Sequence, residues 1–238
     1  DDLNTVDRSV VVKVGVYDHK KKTHPTVSVV NAITNSFDRA PQIFLAESDN
    51  YIGKGMERLQ IWKELFTTRV VPFNLSEDST TREVKIADEK IGLSHVLFKP
   101  NVLVSTHTLR KYEKGTILKN LLGLIPDRKK VRFHKKLETT LLDIYEAVGG
   151  IDLAVLDGTY TYLDPNSDKG IRTNILLVGR DAIAVEAVGT TLVGLDPEKL
   201  PVIQEAMNRG LGEGDVKKIE VLGRSIESLK EKFSLQKT

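Results

Sequence analysis

The sequence predicts an α/β protein: a mostly parallel sheet with helices on both faces. Two observations carry this reading. Short β-branched runs alternate with longer stretches of helical periodicity, and the runs are apolar on both faces, as strands covered on two sides must be. A third is that the first three strands are separated by helix-length segments, which parallel pairing with right-handed crossovers requires.

The elements follow in order. Residues 9–16 (Ser-Val-Val-Val-Lys-Val-Gly-Val) form a strand. Pro25 suits a first helical position, and Val27, Val30, Ile33 and Phe37 fall near one face of a helix over 25–37. Residues 42–46 give a second strand, ending in the polar turn Glu47-Ser48-Asp49-Asn50. Met56, Leu59, Trp62 and Phe66 space a buried helical stripe over 55–66, and 70–75 is a third strand. An edge strand is expected at 82–86, and a strand over 96–106 is interrupted at Lys99-Pro100-Asn101. Thr116 caps a helix to Leu124, ended by Pro126, and residues 136–148 form a helix stopped by Gly149-Gly150. Strands at 151–156 and 172–178 precede a small-residue helix over 182–193, capped by Asp181. A helix over 197–209, a strand at 219–222 and a charged helical tail after Ser225 complete the chain. The organisation expected is one α/β domain over 1–238, with an insertion around 76–136.

Composition narrows the function classes. The chain has no cysteine, so thiolate nucleophiles, Cys-ligated zinc and iron–sulfur clusters are excluded within it. Any divalent metal would rest on His, Asp or Glu. Cytoplasmic residence fits a chain without disulfides, and no apolar run reaches the roughly 20 residues that span a bilayer, so no membrane partner is expected. Net charge is only +2, from 35 basic and 33 acidic residues, too small a global field to argue for nucleic acid.

Ligands in open α/β sheets bind beyond the carboxyl ends of strands, where Glu47, Asp49, His107, Asp157 and Asp181 fall. Each is also a turn former or helix cap, and the functional reading comes from their number. His107 ends one strand, and Lys119 and Asn120 begin the helix that follows. A helix start offers free N–H groups, and a lysine adds a point charge, which together suit phosphate or carboxylate. The glycine spacing of a P-loop or dinucleotide fingerprint is absent. His107, His134 and Asp157 form the candidate metal set, without a short ligand motif. Arg128 to Lys136 holds six permanent cations in nine residues. That run is either a solvated loop, an electropositive rim with Arg128, Lys130 and Arg132 as ligand contacts, or an RNA surface with Phe133 stacking. Asp164, Asn166 and Asp168 miss the EF-hand pattern and read as a polar turn.

Ser105-Thr-His107-Thr, then Gly115-Thr116-Ile-Leu-Lys119-Asn120-Leu-Leu-Gly123-Leu-Ile-Pro126 and His134, resembles the central motif of the DUF362 family. Leu153-Ala-Val-Leu-Asp157-Gly158 looks like that family's aspartate–glycine strand end, and Gly179-Arg-Asp181-Ala-Ile-Ala-Val-Glu186 looks like its Asp-x-x-Ala-x-Asp helix. The likeness spans roughly residues 10–223. Two departures stand out: Glu186 where the family usually has Asp, and an unusual loop at 163–170. The family name implies no reaction, and the ferredoxin segments of some members have no counterpart in a Cys-free chain. The expected function is an enzyme or cofactor-handling protein that binds an anionic small molecule or a metal. Catalytic roles would fall to His107, Lys119, His134 and Asp157, and ligand contacts to Asn120, Thr116, Arg128, Lys130, Arg132 and Asp181. The alternative is a non-catalytic polyanion-binding module using residues 128–136.

Overall fold

The computed structural model describes residues 2–164 and 167–234. Asn166 of the Asp164–Asp168 turn therefore lies outside the described residues.

The strands are β1 (Val10–Val14), β2 (Ile43–Glu47), β3 (Val70–Asn74), β4 (Thr81–Ile86), β5 (Glu89–Ser94), β6 (Val102–Arg110), β7 (Leu153–Tyr162) and β8 (Ile171–Gly179). The α-helices are α1 (Val27–Ser36), α2 (Gly55–Leu59), α3 (Leu137–Ala147), α4 (Ala182–Leu192), α5 (Pro201–Asn208) and α6 (Ile226–Ser234). Six strands form one sheet in the order β3-β2-β1-β6-β7-β8, and β4 and β5 form a separate hairpin. Pairing is parallel from β3 through β7, and only β8 runs antiparallel. The α/β class with a mostly parallel sheet is therefore correct.

Alternation along β1 shows how the sheet is covered. Val10, Val12 and Val14 are fully buried toward α1 and Trp62, while Val11 packs into the larger cluster with α3, α4 and α5. Each such side chain contributes roughly 1.5–3 kcal/mol by leaving water. Lys13 is likewise buried, although the valine run gives it no apolar reason to be.

Four expectations are corrected. The single insertion at 76–136 is two excursions, because β6 lies inside that range and pairs with β1 at the centre of the sheet. One excursion is the β4–β5 hairpin; the other runs from Lys111 to Lys136 and carries 3-10 turns at Lys119–Leu124 and Lys130–Lys136 rather than a full α-helix. The strand expected at 219–222 does not form. The strand expected to end at Leu156 continues to Tyr162, because β8 pairs with it from Ala154 to Thr161 across an irregularity at Gly158–Tyr160.

The order of strands locates the site. From β1 the chain moves outward through β2 to β3, then returns to the other side of β1 as β6. The crevice at the carboxyl ends of β1 and β6 is thus a topological switch point, where neighbouring connections diverge and leave space for a ligand.

Candidate functional site

A cavity of about 760 Å³ opens at that switch point. Its described walls come from the ends of β1, β2 and β6, from the loops after β1 and β2, from Arg58 of α2, from Ser167 and from the excursion at 111–136. Eight lysines and arginines line it, against two carboxylates, Asp18 and Glu47. The chain as a whole is nearly neutral, so this concentration is local.

The floor is a buried ionic cluster. Lys13 Nζ lies 3.1 Å and Arg58 Nη1 3.2 Å from Glu47 Oε2, and the three residues are only 2–3 % exposed. Two cations thus share one carboxylate, and Arg58 Nε is buried without a hydrogen-bond partner. Arg58 also donates to the carbonyls of Val16 and Ser48, which holds α2 against the ends of β1 and β2. Burial pushes the Lys13 ammonium down against the attraction of Glu47. Asn120 closes the cluster from above. Its Oδ1 accepts from Lys13 Nζ at 2.9 Å, and its Nδ2 donates to Lys13 O, Ser105 Oγ and Thr106 O. Gly123 lies so close that a Cβ there would meet Lys13 Nζ at 2.8 Å and Glu47 Oε1 at 3.0 Å.

Lys119 lines the cavity and has no hydrogen-bond or ion-pair partner among the described residues. Burial, with Lys114 adding repulsion, lowers its ammonium to about 8. Lys130 also falls to about 8, chiefly by burial, and donates to Asp49 O. Arg110 stacks on Tyr112 with its guanidinium 4.8 Å from the ring centre, and its Nε is buried without a partner.

His107 is held differently from an acid or base working near neutrality. Burial, then the Arg110 cation, drives its imidazole down to about 3, so the ring is neutral. Nδ1 sits 3.2 Å from the Thr108 carbonyl. The Thr108 hydroxyl stands at the same 3.2 Å, so Thr108 engages Nδ1 as acceptor or as donor and leaves Nε2 to the cavity. The ring occupies the space above Gly15, where any Cβ would stand 2.1 Å from His107 Cδ2. His134 is exposed at the cavity edge, and burial together with Lys119 and Lys114 lowers it as well.

The residues singled out in the sequence thus separate into two groups. His107, Lys119, Asn120, Arg128, Lys130 and His134 line the cavity. Asp157, Thr116, Arg132 and Asp181 do not. Asp157 accepts from Thr26 N and Oγ1 at 2.7 Å and from Thr159 N at 2.8 Å, which ties the start of α1 to β7. The N–H and hydroxyl of Thr116 both donate to Glu186, which also receives Leu118 N. Asp181 caps α4 through Ile183 N and Ala184 N and takes Glu213 N besides. Arg132 binds Asp127 and Glu89. The set His107, His134 and Asp157 is not assembled for a metal: among the described residues no group of three or more His, Cys, Asp or Glu is placed to hold one. The basic run divides too. Arg128, Lys129 and Lys130 face the cavity, whereas Phe133 is 2 % exposed and unable to stack on RNA.

Sequence reasoning passed over Lys13, Arg58, Arg110, Tyr17 and Tyr51. A lone lysine inside a valine run was the one available signal for the floor, since a strand buried on both faces has no solvent-facing position for a charge.

Among the described residues, no helix is long and apolar enough to cross a membrane. No curated protein matches the chain. A family model described as a domain of unknown function, DUF362, matches residues 10–191, the segment that contains the strands of the main sheet and every described residue of the cavity wall.

Proposed function

The chain belongs to the DUF362 family, and from its residues we propose that the switch-point cavity binds a small, multiply charged anion, as the site of an enzyme or a cofactor-handling protein. The observation that carries this reading is uncompensated positive charge. Lys13 and Arg58 share Glu47, and Lys119 has no described partner. Buried charges are normally paired, and an unpaired one is costly until a counter-charge arrives. A phosphate or carboxylate group supplies that counter-charge and accepts from Arg110 and Lys119 in the same step. His107, neutral and with Nδ1 engaged by Thr108, offers Nε2 as a hydrogen-bonding partner for a polar group of the ligand. Lys119, lowered to about 8, is the group best placed to exchange a proton near neutrality. The polyanion reading loses support with its stacking residue, since Phe133 is in the core.

Calorimetric titration with pyrophosphate and orthophosphate tests this, beside Lys119→Met. The variant should bind at least about tenfold more weakly, the scale of one charge-assisted hydrogen bond. It should also be no less stable than the parent. The Lys119 pKa falls from 10.5 to about 8 on folding, so between those values the unfolded chain holds more protons. Stability therefore rises with pH through that window, and the ammonium is a burden below it. Anion affinity should decline above about pH 8 as the same proton leaves. Undiminished affinity in Lys119→Met, or no binding of either anion, would overturn the proposal.

A further inference from the structure

The cavity has a second character at its mouth. Tyr17 is 53 % and Tyr51 73 % exposed, and Val131 is 72 % exposed, although all three are large apolar side chains lining the same opening. The two tyrosine rings meet edge to face, with centres 6.0 Å apart and planes at 62°. Their placement is enforced by polar bonds rather than by packing. Asn50 Nδ2 donates to Tyr17 O at 3.0 Å, and Asn50 Oδ1 accepts from Ile52 N and Gly53 N. Arg128 Nε donates to Asn50 O at 3.2 Å. One buried asparagine thus fixes the loop after β2 beside the end of β1 and leaves Tyr51 facing outward. Tyr112, carrying the Arg110 guanidinium, continues the aromatic wall inward.

Resting on the anion reading above, we propose that the ligand is of nucleotide type, a phosphorylated molecule whose planar aromatic ring lies against Tyr17 and Tyr51. Its phosphate would sit against Lys119 and Arg110, above the closed Lys13–Arg58–Glu47 floor. Three observations converge on this class. The cavity, at about 760 Å³, is far larger than an inorganic anion needs and falls in the range that encloses ligands of drug size. Buried cations lie at the inner end, and the exposed mouth adds the Tyr17 and Tyr51 rings and Val131 beside Arg128 and Lys129, so a ligand with an anionic end inside and a ring at the mouth meets both. The apolar end meets tyrosine rings, which favour a planar π-partner, and not the continuous aliphatic trough that an acyl chain would require. Base-on-aromatic stacking tolerates many rings, so the geometry specifies the class and leaves the base open.

The test is calorimetric titration of the full chain with adenosine 5′-monophosphate, ribose 5-phosphate and adenosine, using the parent, Tyr17→Ala/Tyr51→Ala, Tyr17→Phe/Tyr51→Phe and Lys119→Met. Adenosine monophosphate should bind about tenfold or more tighter than ribose 5-phosphate. The alanine pair should remove that difference, and the phenylalanine pair should keep it. Equal affinity for the two phosphates, lost together in Lys119→Met, would overturn the ring assignment and leave the anion site standing. Failure of both phosphates to bind would remove the anion reading and this one with it. Both tyrosines are exposed, so these variants test recognition and not folding.

Discussion

Lys13 and Glu47 define what a single residue does in this cavity. Removing the carboxylate leaves two buried cations facing each other, while removing the lysine leaves a matched Arg58–Glu47 pair. Glu47→Gln should therefore lower stability by about 3–5 kcal/mol, the usual cost of stranding a buried charge. Lys13→Met should be distinctly milder in stability while weakening phosphate binding. Urea denaturation of the two variants checks this, and equal losses would mean that the cluster is not over-supplied with positive charge. At this scale the sequence was half legible. His107 and Lys119 announced themselves by position, one following the apolar run at 102–104 within β6 and the other opening the next turn. Arg58 did not, because a charge on an amphipathic helix is ordinarily solvent-facing, and Lys13 gave only the single signal of a charge inside an apolar strand.

Among the elements, the connection between α1 and β7 shows how a sequence motif can be misread. Asp157 follows the apolar run at 153–156 of β7 and precedes Gly158, which gives it the look of a ligand-facing residue. Its carboxylate is instead filled by Thr26 and Thr159 donors. Asp157→Asn turns an amide toward those donors and should cost about 1.5–3 kcal/mol in chemical denaturation, with phosphate affinity kept within twofold. A loss of affinity at unchanged stability would restore the functional reading. The β4–β5 hairpin was illegible for a different reason. Its two-residue turn, Ala87-Asp88, holds φ of 47° and 72°, a conformation that Asn-Gly usually signals. Neither residue gives that cue, so only the first strand of the hairpin was visible. Parallel strands β1 to β3 were readable because helix-length connectors leave few alternatives, whereas nothing local marked β8 as antiparallel.

For the whole molecule, near-neutral net charge and one strongly cationic cavity predict selectivity for small anions over long ones. Single-stranded RNA should give no retardation in a native gel at 150 mM salt, conditions under which weak phosphate contacts are screened. A shifted band that disappears in Lys129→Ala/Lys130→Ala/Arg132→Ala would instead favour a polyanion surface. The strand order also carries a consequence in time. β1 pairs with β6, Val10 against Val102, so the two walls of the crevice come from distant parts of the chain. Such non-local pairings form late, because a long loop must close before any contact rewards it. On a ribosome, Lys13, Glu47 and Arg58 would emerge early and stay hydrated. They lose their water only when Asn120 and Gly123 dock on top. Drying of that cluster is therefore expected among the last events of folding, and an anion present at that moment would ease it.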